Sequence, residues 1–201
     1  TESIVGVPEL ASFACYEWQH AVIVPQGHPL AELPDGLHVG LCGSGAPMPD
    51  PTRAGPCVAV VAGQDLFVVD SGSGSTRNLL LMNLPPPRLS AAFVTHYHSD
   101  HIADLGELML QRWGGGAAHA PLPIYGPTGL DQVVKGFQDA YTLDRGYRTA
   151  HHGEAVAPPS GFGGTPHVFT TDPNGPDVLV LDEAVSALDV SVQAQVLNLL
   201  K

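Results

Sequence analysis

The stretch AAFVTHYHSDHIADLGELMLQRW, residues 91–113, constrains this chain more than any other. It opens on a short apolar run of the kind found in buried strands. It closes on a helical pattern in which Ile102, Leu105, Leu108 and Met109 share one face. Between them, THYHSDH packs His96, His98, Asp100 and His101 into a seven-residue turn. In an extended chain, residues i and i+2 point the same way. His96 and His98 can therefore present two imidazoles to one ion. Asp100 and His101 come where the chain bends into the helix, so they point elsewhere and suit a second, adjacent ion. Imidazole with carboxylate is a zinc-type ligand set, with iron or manganese as alternatives. A metal pair can hold water as hydroxide near neutral pH, the nucleophile of a hydrolase.

The surrounding pattern is α/β. HVGLCGSGAP reads as a strand entering a Gly-rich turn, and CVAVVAG and DLFVVDSG as strands of a hairpin turning at Gly63-Gln64. A helix is expected from Ser75 to about Leu84, stopped by Pro85-Pro86-Pro87. The helix after the histidines is expected to break at Gly114-Gly115-Gly116, and LPIYGPTGLDQVVKGFQDAY reads strand, turn, helix. Strands alternating with helices imply a mixed α/β architecture.

Other chemistries fail on missing motifs. There is no G-x-S-x-G elbow and no G-x-G-x-x-G dinucleotide turn. The net charge of −12, with Lys135 and Lys201 as the only lysines, disfavours nucleic acid and points to small esters. Cys15, Cys42 and Cys57 have no metal-type spacing and read as reduced thiols of a cytoplasmic protein. No apolar run is long enough to cross a bilayer, so no membrane partner is expected.

THYHSDH resembles the signature of the metallo-β-lactamase superfamily. GLCGSGAPMPDPTRAGPCVAVVAGQDLFVVDSGSGS, IYGPTGL and AYTLDRGYRTAHHGE narrow the resemblance to its ribonuclease Z and arylsulfatase-like branch. The likeness implies an αββα sandwich, a site of one or two zinc ions, and hydrolysis of phosphodiesters, sulfate esters or related esters. It makes His96, His98, Asp100 and His101 metal ligands, gives Asp100 the added task of orienting or deprotonating the attacking water, and sets Asp70 behind the metal loop as a support. The family also needs a third histidine, a bridging aspartate and a final histidine. After His101 the chain offers only His119, His151, His152 and His167. The expected fold is therefore a partial sandwich, and an incomplete site is one expectation alongside an active hydrolase. The alternative is a non-catalytic mosaic or truncated chain with at most weak metal binding. Uncovered sheet faces and edges would invite aggregation, and a homo-oligomer is one expectation.

The flanks read differently. ACYEWQHAVIVPQGHPLAE resembles part of a LysR-type regulator effector domain. VLVLDEAVSALDVSVQAQVLNLL resembles the Walker B strand and D-loop of ABC-transporter ATPases, which would make Asp182 and Glu183 nucleotide-binding. Without a G-x-x-x-x-G-K-[ST] loop to cradle phosphates, both are expected to be strand-end acids with no nucleotide. Three parts are expected: a regulator-like piece over 1–35, a metallo-β-lactamase-like half over 36–166, and an ATPase-like piece over 167–201.

Overall fold

The computed structural model describes residues 33–34, 36–116 and 118–169. In chain order the elements are β1 Leu37–Gly43, β2 Cys57–Ala62, β3 Asp65–Val69, α1 Ser75–Leu81, β4 Leu89–Phe93, α2 Ser99–Ile102, α3 Leu105–Gly116, β5 Leu122–Gly126, α4 Leu130–Ala140, α5 Thr142–His152 and β6 Gly164–Val168. The six strands form one sheet in sequence order. β1, β2 and β3 are antiparallel, and β3 to β6 run parallel. The turn at Gly63-Gln64 joins β2 to β3 as the sequence implies, with Gly63 taking the positive φ of 61° that favours glycine there. Helical crossovers join the parallel strands, so the chain is the mixed α/β fold its pattern implied.

Alternation sends each strand's residues to opposite faces. Ala59, Val61, Leu66, Val68, Ala92, Leu122 and Ile124 point to one side. There they are buried with Leu79 of α1, Leu105, Leu108 and Met109 of α3, and Leu130 and Val134 of α4. The opposite side carries Val39, Val58, Phe67, Val69, Phe93 and Tyr125, all half-buried. Phe67, Phe93, Tyr125 and His167 form a row of neighbouring rings across β3 to β6. A second, smaller cluster seats Trp113 against Phe162 and Ala157, with the indole donating to the Pro158 carbonyl at 2.7 Å.

Four local expectations change. The helix expected over 102–113 is two helices, because Asp104 leaves the helical path. Its N–H donates to the Ser71 carbonyl, and its carboxylate accepts from the Thr76 N–H. The three glycines do not stop α3, which runs through to Gly116. Its flank lies so close to Pro87 that a Cβ on Gly115 would sit 3.0 Å from the ring, so packing overrides weak helix propensity. Helix α1 ends at Leu81, where Met82 and Asn83 turn the chain before the prolines. Cys42 and Cys57 are not thiols. They form a buried disulfide between the neighbouring strands β1 and β2, with Cys42 at the point where the register shifts between Leu41 and Gly43. The cytoplasmic expectation loses the support it drew from reduced cysteines. Among the described residues no helix is long and apolar enough to cross a membrane. Cys15, the regulator-like stretch and the ATPase-like stretch with Asp182 and Glu183 lie outside the described residues.

Candidate metal centre

The histidine turn leaves the carboxyl end of β4, beside the carboxyl end of β3. This is where parallel α/β sheets hold ligands. Val94 N–H donates to the Tyr125 carbonyl, and Asp70 N–H donates to the Phe93 carbonyl. The two strand ends are thereby locked together before the turn begins. Asp70 itself has a positive φ of 60°, a left-handed backbone that aspartate tolerates better than most residues.

From His96 to His98 the chain is extended, and the side chains alternate. His96 and His98 turn to one side, with His96 Nε2 2.9 Å from His98 Nδ1. Tyr97 turns to the other side, packs on the core and donates its hydroxyl to the Pro127 carbonyl. Burial pushes the Tyr97 phenol up to about 12, with the Asp131 carboxylate adding to the shift. Tyr97 is thus an anchor that holds its neighbours outward. At His98 the chain enters α2, and His101 N–H bonds back to the His98 carbonyl. This turn brings His101 Nε2 to 3.7 Å from Asp100 Oδ2. The His96 and His101 rings lie 4.1 Å apart between centroids.

Behind the turn sits Asp70. Its Oδ1 accepts from the Thr95 N–H at 2.9 Å, and its Oδ2 accepts from the Thr95 hydroxyl at 2.8 Å and from His101 Nδ1 at 2.7 Å. Asp70, Thr95 and His101 are buried, whereas His96 and Asp100 are half-buried and His98 is exposed. The position of Thr95 carried no sequence signal of its own beyond standing next to His96.

The glycines of the preceding loop let backbone pass very close. A Cβ on Gly72 would stand 2.3 Å from the Asp100 carbonyl oxygen, and one on Gly55 would stand 2.9 Å from the same atom. Ser71 N–H also donates to the His101 carbonyl. The Asp70–Gly72 segment therefore grips both ends of the histidine turn.

The donor chemistry fits a divalent metal in pairs. Ligand nitrogens on one tetrahedral zinc stand about 3.3 Å apart; His96 Nε2 and His98 Nδ1, hydrogen-bonded at 2.9 Å, would lose the shared proton and separate slightly to take one ion. His101 Nδ1 is held by a carboxylate, the outer-shell arrangement typical of a metal-binding imidazole. Among the described residues, however, no group of three or more His, Cys, Asp or Glu side chains is arranged to hold an ion. His151 and His152 lie exposed at the end of α5, His119 is exposed after α3, and exposed His167 stacks on Tyr125 at 4.7 Å. The structure brings none of these four into a ligand group with the turn.

The chain is 43% identical over 125 residues to a ribonuclease Z of Mycolicibacterium gilvum, covering 61% of this chain and 44% of the relative. It is 44% identical over 125 residues to a ribonuclease Z of Mycobacterium bovis, covering 61% and 45%. The chain thus spans less than half the length of these curated relatives. Human tRNase Z, short form, superposes with a TM-score of 0.50 at 26% identity, over 67% of this chain and 45% of that one. These relatives are named as ribonucleases, against the expectation that nucleic acid is disfavoured. That expectation used whole-chain charge. Nine of the twenty acidic residues but one of the eight basic ones fall in 1–32 and 170–201, so residues 33–169 hold only −4 of the −12. The metallo-beta-lactamase superfamily model matches residues 50–184, running into the segment that resembles an ATPase strand. With that match over two thirds of its length, the chain belongs to the metallo-β-lactamase superfamily.

Proposed function

We propose that this chain carries the N-terminal half of a metal-dependent phosphodiesterase site that acts on RNA. The observation that carries the reading is the pairing in the turn, His96 with His98 and Asp100 with His101, backed by Asp70. Zinc is the proposed metal; bound there, it would lower the pKa of a coordinated water and polarise a phosphoryl oxygen. His96 and His98 would hold one ion, and Asp100 and His101 a second. Asp100, whose carboxylate lies 3.7 Å from His101 Nε2, would accept the proton of the attacking water. Asp70 would keep His101 oriented. The ribonuclease names of the relatives favour an RNA phosphodiester over sulfate or small esters.

The test is hydrolysis of a chromogenic phosphodiester and of a transfer-RNA-containing transcript by zinc-loaded protein. Cleavage of both, lost in His98→Ala, supports the proposal. Activity unchanged in His98→Ala would sink it.

A second reading has its own observation: the described ligands form pairs and never a group of three. On that reading the chain binds one metal weakly and does not turn over substrate. Zinc uptake without cleavage of either substrate would favour it. The three-part organisation, with joins near residues 35 and 166, is likewise a proposal, tested by a continuous coding-sequence read across both joins.

A further inference from the structure

We infer that Thr95 is a positioning residue that fixes the tautomer of His96 and so aims its Nε2 at the metal position. The argument is one of hydrogen counting. A carboxylate can only accept hydrogen bonds, and a hydroxyl has one proton to give. Thr95 Oγ1 lies 2.8 Å from Asp70 Oδ2, so its proton points at the carboxylate. The same oxygen lies 3.0 Å from His96 Nδ1. With its proton committed to Asp70, Thr95 has only lone pairs left for the imidazole. His96 must therefore carry its proton on Nδ1, and in the neutral ring Nε2 is left as a base. That atom is the one 2.9 Å from His98 Nδ1. Metals bind the unprotonated nitrogen of a neutral imidazole.

His101 follows the same logic without an intermediary, its Nδ1 giving its proton to Asp70 Oδ2 at 2.7 Å. One buried carboxylate thus sets two imidazoles, His101 directly and His96 through the Thr95 hydroxyl. The Thr95 backbone is pinned as well, since its N–H donates to Asp70 Oδ1. The hydroxyl sits on a buried residue and has little room to rotate toward another partner. The consequence for metal rests on the function proposed above; the tautomer does not.

The experiment compares the full chain with Thr95→Val, which keeps shape and loses the hydroxyl, and Thr95→Ser, which keeps it. Ring-nitrogen NMR of the metal-free proteins reads the tautomer, and competition with a chromogenic chelator reads zinc affinity. Wild type and Thr95→Ser should show His96 protonated on Nδ1. Thr95→Val should lose that preference and bind zinc about 10–100-fold more weakly, with Thr95→Ser restored to near the wild-type value. Two results overturn the inference: His96 protonated on Nε2 in metal-free wild type, or Thr95→Val matching wild type in both tautomer and zinc affinity. A wild-type chain that takes up no zinc defeats the metal reading, while its His96 tautomer still decides the role of Thr95. Should Thr95→Val fail to fold, the wild-type and Thr95→Ser spectra decide it.

Discussion

Asp70 and His101 stand 31 residues apart in the chain, yet the Asp70 carboxylate accepts from His101 Nδ1 at 2.7 Å with both side chains buried. The contact ties the end of β3 to the short helix α2 that closes the histidine cluster. Replacing Asp70 with Asn removes the charge that orients the imidazole. Asp70→Asn is expected to weaken zinc binding about 10–100-fold, read by chelator competition. Affinity equal to wild type would show that His101 needs no such support.

Gly72 packs tightly against the histidine turn. A Cβ there meets the Asp100 carbonyl and the Gly55 backbone, neither of which is a flexible side-chain end. Gly72→Ala is expected to cost about 1–3 kcal/mol in urea unfolding, the usual penalty of overpacking. Gly136, inside α4 with nothing within 4 Å of a built Cβ, serves as the contrast. Gly136→Ala is expected to gain about 0.4–1 kcal/mol by narrowing the unfolded ensemble. Equal effects at both positions would contradict the packing described.

The Cys42–Cys57 disulfide closes a loop between residues 15 apart in sequence. That loop reaches the site, because Gly55 N–H donates to the Ser73 carbonyl and Gly72 N–H donates to the Pro56 carbonyl. Chain-entropy reasoning gives about 3 kcal/mol for a loop of this length. Unfolding midpoints with and without reductant should differ accordingly. Coincident curves would show that the bond contributes nothing.

Much of this was legible in the sequence because it is periodic or local. The alternation in CVAVVAG and DLFVVDSG and the Gly63-Gln64 turn are short-range signals, and they produced β2, β3 and their hairpin. The i, i+2 rule placed His96 and His98 on one side, but it wrongly sent His101 elsewhere: the helical turn brings its ring to 4.1 Å from that of His96. What stayed hidden depends on distant partners. Asp104 breaks its helix to reach Ser71 and Thr76, and Gly115 stays helical against Pro87. The disulfide needed the β1–β2 register, and Thr95 gained its role only from Asp70 folding against it. α5 buries no residue fully, and β6 is exposed along most of its length, so neither had a strong apolar stripe to announce it.

Zinc titration of the metal-free chain by calorimetry, alongside a His96→Ala/His98→Ala double variant, tests the central claim most directly. The pairing of ligands in the turn predicts uptake of at least one zinc per chain, lost or strongly weakened in the double variant. No uptake by the wild-type chain, or equal uptake by both proteins, would contradict it.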